Sequence, residues 1–342
     1  MLEAPFGQDT RVTSPGTLAL ATRGLRKSYG TRLALDGLDL SVPQGVVYGF
    51  LGPNGAGKTT TMRLLTGLLH PDAGTIELLG APFRRGDRKR LFEVGALVES
   101  PSFYPYLSGR KNLQVLAQAG APVPARRIDE LLELVGLRER AKDKLSGYSL
   151  GMKQRLGIAG ALLSDPKLLL LDEPANGLDP AGIVAMREML RRLAAMGKTI
   201  FVSSHLLAEV RVLADVVAII AAGKLVREGT LESMLSDQGV VRARVGRADE
   251  AAARAVLERI ARTDPGTASE GDPWLAVHVE PSRAGEVNRA LAEEGIYATG
   301  LESGTDLELL FLELTGGNAA SSEGTFGTAG VVPGAGQPGA DA

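Results

Sequence analysis

The sequence predicts an α/β fold built on a largely parallel sheet, with a small α+β appendage behind it. Three observations carry this. Short apolar runs, VVYGFL at 46–51, LLLL at 168–171, TIFVSS at 199–204 and VVAII at 216–220, are bounded by breakers and separated by helical stretches. That is the pattern of strands buried on both faces. A glycine-rich loop, GPNGAGKTT, stands between the first run and a helix pattern. After about Ser236 the texture changes to alternating strands and shorter helices.

In chain order, residues 1–16 mix Pro, Gly, Thr and Ser and predict a loose leader. Glu3 and Asp9, with no apolar core between charged and small residues, argue against a signal peptide. From Thr17, TLALATRGL alternates as a strand does. KTTTMRLLTGLL places Leu64, Leu65, Leu68 and Leu69 at helical spacing; HPDAG is a turn and TIELLG a strand. Residues 101–163 are mostly helical, with Leu131, Leu132, Val135 and Leu137 on one side of DELLELVGL and a further helix in KQRLGIAGALL. In the appendage, VVRARV, WLAVHVE and YATGLES are expected strands; ADEAAARAVLERIA, PSRAGEVNRALAEEG and TDLELLFLELTG are expected helices. Expected boundaries are a leader at 1–16, a main domain at 17–236 with a helical subdomain at about 100–163, the appendage at 237–315, and a disordered Gly/Ala/Ser/Pro tail at 316–342.

Composition narrows the partners. The 342 residues, 44% of them hydrophobic, suffice for about two domains. A formal net charge of −2 offers no electrostatic footprint for nucleic acid, and none is expected as a partner. The absence of cysteine removes disulfides, thiolate metal sites and a Cys nucleophile, and fits a reducing cytosol. The longest apolar candidate, residues 212–222, is short and holds Asp215. A membrane pore would have to come from another chain.

The first motif is the glycine-rich loop itself: Gly52, Pro53, Asn54, Gly55, Ala56, Gly57, Lys58, Thr59 and Thr60. Glycines let successive backbone N–H groups turn inward as a nest for phosphate oxygens. The following helix points its positive N-terminus at the same anion. Lys58 would reach β- and γ-phosphates, and the Thr59 hydroxyl would ligate Mg²⁺. The second motif is LLLLDEP, a buried strand ending in two carboxylates. Asp172 would hold Mg²⁺ through its water shell, and Glu173 would polarise the attacking water as general base. Strand-end carboxylates are common, and it is the upstream phosphate loop that gives these two a task. The third motif, YSLGMKQR, puts Ser149 and Gly151 ahead of a helix starting near Met152. Alone it is an ordinary capped helix.

Together these residues resemble the ABC ATPase family over roughly residues 17–235. The resemblance implies a P-loop NTPase core with β-rich and helical subdomains, binding ATP with Mg²⁺. SLGMK stands at the family's LSGGQ signature, so Ser149 and Gly151 would close over ATP held by an opposite subunit. Tyr29 in KSYG stands where an aromatic stacks on adenine, Asp179 in NGLDP where a loop links the two active sites, and His205 in SSHLL where a histidine contacts the γ-phosphate. His70 and His278 match nothing. Two departures from the general pattern, Glu99 in place of Gln and Leu150 and Met152 in the signature, resemble the branch that exports bacitracin, lantibiotics and similar drugs. Glu99 would leave a carboxylate free to ligate Mg²⁺.

The resemblance therefore implies the ATP-hydrolysing subunit of an exporter. It would act as a homodimer, or as a dimer with a related ATPase, held at the inner face of the membrane by a separate transmembrane permease. The segment SFYPYL would dock that permease around Phe103 to Leu107. The competing reading is a non-transport member of the family serving translation or DNA maintenance. A single cassette, no long coiled coil between Lys58 and Ser149, and no zinc-binding cysteines weigh against it.

Overall fold

The computed structural model describes residues 18–84, 86–99, 101–120, 123–235, 239–261, 263–264, 273–304 and 311. The expected leader, the expected tail and all of the last expected helix except Phe311 lie outside them.

The centre is a six-stranded sheet in the order β10-β9-β3-β8-β7-β6. Its strands are β3 (Val47–Leu51), β6 (Val94–Leu97), β7 (Leu168–Asp172), β8 (Thr199–Ser204), β9 (Val216–Ala221) and β10 (Lys224–Thr230). All pair in parallel except the edge strand β10, which is antiparallel to β9. The apolar runs become the inner strands because each face has a core to meet. Leu168 and Leu170 pack into one cluster, Leu169 and Leu171 into the other. In β3 the same alternation sends Tyr48 and Phe50 to one side, where both meet the Phe201 ring.

On that side lies an antiparallel sheet, β1 (Leu18–Tyr29), β2 (Arg32–Pro43), β4 (Ala73–Leu78) and β5 (Ala81–Pro82), in the order β2-β1-β4-β5. The two sheets enclose the core containing Leu20, Leu35, Leu38 and Met62. They are also tied by polar atoms. Glu228 on β10 accepts from the Ser41 N–H of β2 at 3.5 Å and from the Tyr48 hydroxyl of its own sheet, and burial pushes the Glu228 carboxyl above its usual range. Helix α1 (Lys58–Leu65) runs within this half, and the short α2 (Arg88–Leu91) leads into β6.

The other side carries the helical subdomain. Helices α3 (Gly109–Ala119), α4 (Ala125–Leu134) and α5 (Leu150–Ala161) occupy the stretch expected to be helical. The expected stripe of Leu131, Leu132, Val135 and Leu137 is buried there against Leu113 and Leu156. Helices α6 (Pro180–Ala195) and α7 (Leu207–Leu213) follow β7 and β8, and α8 (Leu231–Leu235) follows β10. Helix α7 lies so close to β3 that a Cβ on Gly49 would stand 2.5 Å from Val210.

The appendage has its own sheet and its own core. Strand β11 (Val240–Arg244), helix α9 (Glu250–Ile260), strands β12 (Thr263–Asp264) and β13 (Trp274–His278), helix α10 (Ala284–Glu293) and strand β14 (Gly300–Gly304) follow in order. The strand order β12-β13-β11-β14 is antiparallel throughout, which is the split βαββαβ arrangement. Val241, Ala243, Leu275 and Val277 face Val256, Leu257, Val287 and Leu291 of the helices. On the opposite face, Arg242 lies over the Trp274 ring. The expected strand at YATGLES starts only at Gly300, because Tyr297 leaves the sheet and is 76% exposed. Beyond β14 the chain returns to the main domain, where Phe311 is buried with Leu51, Val210 and Ile219.

Candidate nucleotide site

The phosphate loop follows from what β3 and β9 leave it no room to do. A Cβ on Gly52 would stand 2.4 Å from the Ile220 carbonyl oxygen, and one on Gly57 2.8 Å from the Ala34 carbonyl oxygen. Gly57 also sits at φ 112° as the N-cap of α1, a conformation that side chains resist. No bulkier residue fits either place, so the loop stays close to the sheet and its amides remain at the mouth of α1. Gly52 N–H donates to the Ser204 carbonyl at 3.2 Å, and Gly223 N–H to the Ala56 carbonyl at 2.9 Å.

Lys58 is 5% exposed. A buried ammonium needs partners for its three donors, and it has them. Nζ lies 2.7 Å from the Gly52 carbonyl oxygen, 3.1 Å from that of Pro53 and 3.2 Å from Glu173 Oε1. The other carboxylate oxygen of Glu173 lies 3.0 Å from His205 Nδ1. Lys58, Glu173 and His205, separated widely in sequence, thus form one polar chain across the C-terminal edge of the sheet, where open parallel sheets bind their ligands. Glu173 stands just past the end of β7 at φ 46°, in the left-handed region. Asp172, the last residue of that strand, is buried.

A cavity of about 310 Å³ opens beside this chain. It is lined by Tyr29, Arg32, Ala34, Asn54, Gly55, Gly57, Lys58, Thr59, Thr60 and Glu173. The phosphate loop makes its floor. The β1–β2 hairpin makes a wall, with Tyr29 44% exposed at the hairpin end. A larger cavity of about 610 Å³ lies elsewhere, around His70, Phe83 and Leu91, and has none of this chemistry.

Other expected site residues stand apart from the cavity lining. Ser149 caps α5, accepting from Met152 N–H at 3.3 Å, and Asp179 caps α6, accepting from Gly182 N–H at 3.1 Å. The helix of the third motif therefore begins at Leu150, not near Met152. The two caps are neighbours, because Leu150 and Leu178 lean against the loops: a Cβ on Gly177 would stand 3.0 Å from Leu150, and one on Gly151 3.5 Å from Leu178. The Leu that replaces the signature's first glycine thus lies against the Asp179 loop of its own subunit.

Glu99 needs a correction. Its carboxylate is not free: it is paired with the Arg63 guanidinium. Arg63 lies on α1 one helical turn after Thr59, where i and i+4 share a face. The pairing raises the Arg63 pKa, with a smaller contribution from Tyr29. Arg63 thus sits between the hairpin aromatic and Glu99, and offsets the charge that a Glu brings where the family has a neutral Gln. Sequence reading passed over Arg63, and it also passed over Arg32 and Ser203. The last two left a usable signal, the hairpin position after KSYG and the doubled serine of SSHLL.

The residues present fit Mg²⁺. That ion takes one or two protein oxygens and completes its shell with water and phosphate oxygens, and the Thr59 hydroxyl with the Asp172 carboxylate is such a donor set. Among the described residues no cluster of three or more His, Asp or Glu forms a self-sufficient metal site. No helix there is long and apolar enough to cross a membrane.

Comparison with known proteins agrees with this geometry. The ABC transporter family model matches residues 35–176. The bacitracin transport ATP-binding protein BcrA of Bacillus licheniformis is 40% identical over 312 residues, covering 87% of this chain and 97% of that protein. The lantibiotic transport ATP-binding protein SrtF of Streptococcus pyogenes is 44% identical over 209 residues, 61% of this chain and 90% of its own. Among solved structures, cbiO1 from Clostridium perfringens, part of the ABC transporter complex cbiONQ, superposes with a TM-score of 0.59 at 25% identity, over 71% of this chain and 96% of its own. A relative matched along nearly its whole length, and a phosphate loop joined to Glu173 and His205 in one site, lead to one conclusion: the chain belongs to the ABC transporter family, as an ATP-binding subunit that hydrolyses ATP.

Proposed function

We propose that this subunit powers the export of a peptide antibiotic, a drug or another hydrophobic compound. The observation that carries the reading is its match to BcrA, which spans the appendage as well as the nucleotide site. ABC ATPases of many cargoes share the site alone, so site chemistry by itself speaks only for ATP.

The chemistry would run as follows. The triphosphate enters over the loop amides and the N-terminus of α1 while adenine stacks on Tyr29. Lys58 exchanges its bond to Glu173 for β- and γ-phosphate oxygens, and Asn54, Gly55, Gly57 and Thr60 cradle the rest. Released from Lys58, Glu173 is free to accept a proton from the attacking water. His205 keeps its hold on the same carboxylate and turns toward the γ-phosphate. Thr59 and Asp172 would hold Mg²⁺, which would supply charge neutralisation at the phosphates. Ser149 and Gly151 bind the γ-phosphate of a partner subunit's ATP, so that two subunits share each site and Asp179 connects them. The permease docks at Phe103 to Leu107, where Tyr104 and Tyr106 expose paired rings. Through it the subunit sits at the inner face of the membrane.

In the native host, deleting the gene should lower the minimum inhibitory concentration of bacitracin or a lantibiotic. A Ser149→Arg allele should do the same while the purified variant still binds ATP. Unchanged sensitivity to peptide antibiotics on deletion would reject a peptide antibiotic as the cargo. Full resistance and full hydrolysis in Ser149→Arg would reject the shared site.

Glu99→Gln tests the branch-specific position. The Arg63–Glu99 pair is exposed, and such pairs contribute roughly 0–1 kcal/mol, so the variant should fold and bind ATP. Where Glu99 leaves Arg63 to join the Mg²⁺ ligands on nucleotide binding, a neutral amide would be the weaker ligand. Hydrolysis should therefore change modestly, with a weaker dependence on Mg²⁺ or Mn²⁺ concentration, and resistance should fall more than hydrolysis. Metal titrations and resistance that both match wild type would leave Glu99 with no special role.

A further inference from the structure

Ser203 is fully buried one residue before the end of β8, beside the last residue of β7, with which it pairs in register. Its hydroxyl donates to Asp172 Oδ1 at 2.6 Å, and Ser203 Oγ itself accepts from Glu173 N–H at 2.9 Å. A hydroxyl has one proton and two lone pairs, so the proton is committed to Asp172 while a lone pair holds the next residue's amide. One side chain thus joins the side chain of the first acidic residue to the backbone of the second.

The backbone it holds is the one that needs holding. Glu173 lies at φ 46°, and a non-glycine residue keeps such a conformation only where surrounding structure enforces it. From that conformation its carboxylate reaches both Lys58 and His205. A relaxed peptide would swing the side chain off both. Neighbouring Ser204 cannot do this, because its hydroxyl is bonded to Glu209 and to the backbone of Leu206.

We infer that Ser203 is a positioning residue for hydrolysis: it orients the Asp172 carboxylate and fixes the Glu173 peptide in its left-handed conformation, so that the metal-holding and water-activating groups keep one fixed relation. The inference rests on the proposed roles of Asp172 and Glu173. Partners that orient a metal ligand typically cost about 10–100-fold in metal affinity or activity when removed.

The test is purified Ser203→Ala, with Ser203→Thr to retain the hydroxyl and Thr22→Val as a control. Thr22 also loses a fully buried hydroxyl bond, to the Leu38 carbonyl, in the antiparallel sheet away from the site. In Ser203→Ala, kcat should fall about 10–100-fold with KM for ATP little changed. Mn²⁺ binding in the presence of the non-hydrolysable analogue AMP-PNP, followed by electron paramagnetic resonance, should weaken by a similar factor. Ser203→Thr should restore most of both, and Thr22→Val should move neither. The inference is overturned if Ser203→Ala keeps wild-type kcat and Mn²⁺ affinity, or if Thr22→Val shifts them equally. Should the alanine variant not fold, Ser203→Cys replaces it: reduced kcat and Mn²⁺ affinity beside a near-normal threonine variant supports the inference, and equality of the two overturns it. Glu173→Gln in the same assay separates the two levels. If it hydrolyses at the wild-type rate, the underlying reading fails; if it is inactive while Ser203→Ala is normal, only the role of Ser203 fails.

Discussion

Glu173→Gln should leave a folded, ATP-binding subunit whose hydrolysis is slower by about 10²–10⁴-fold, the usual contribution of a positioned general base. The geometry explains why binding should survive. The amide is nearly the size of the carboxylate and can still accept from Lys58, so the phosphate loop keeps its shape, and ATP binding in any case calls Lys58 away from this residue. What is lost is the group able to take a proton from water. An ATP-bound dimer should accumulate, seen by size-exclusion chromatography in ATP and Mg²⁺ as a species of doubled mass that wild type loses by turnover. Wild-type turnover in this variant would remove Glu173 from the chemistry and pass the role to another group near His205.

Lys58→Ala should act on the earlier step. The ammonium is buried against two loop carbonyls and Glu173, and the triphosphate would take over part of that coordination. A hydrogen bond involving a charged group is worth about 1.5–3 kcal/mol, so ATP affinity should fall roughly 10–100-fold. Hydrolysis should be lost with it. Isothermal titration with ATP at a fixed Mg²⁺ concentration measures the affinity. Unchanged affinity would mean that Lys58 does not reach the phosphates and that the loop amides bind them unaided. Paired with Glu173→Gln, the result separates binding from chemistry: one variant should lose affinity and the other should keep it and stop.

The two variants also show where the site was legible in the sequence. The phosphate loop could be read directly because its chemistry is local: the glycines, the lysine and the hydroxyls act within one turn, whereas the carbonyls of Ile220 and Ala34 that leave no room for a Cβ at Gly52 and Gly57 come from other strands. LLLLDEP could be read as a buried strand with carboxylates at its end, since alternation of two faces is a property of neighbouring residues. Glu99 was misread as free because its partner, Arg63, lies on a different element and the ion pair forms only when α1 and the loop after β6 are side by side. The late start of β14 and the placement of Tyr297 outside it were missed for a related reason. Alternation marks residues able to form a strand, and pairing with β11 decides which of them do.

By itself the sequence determined the α/β class, the nucleotide, the apolar inner strands and the appendage, because periodicity and local loop chemistry are written in adjacent residues. Only the tertiary structure decided that Lys58 and His205 share the two oxygens of Glu173, that Ser203 ties Asp172 to the Glu173 peptide, that Arg63 occupies Glu99, and that Phe311 returns the chain to the main core. The physical reason is the parallel sheet. Its neighbouring strands are joined through long crossovers, so the strand ends that meet at the site come from distant parts of the chain. Which side chains face one another there depends on strand order and register, and those are set by burying both faces of the sheet at once.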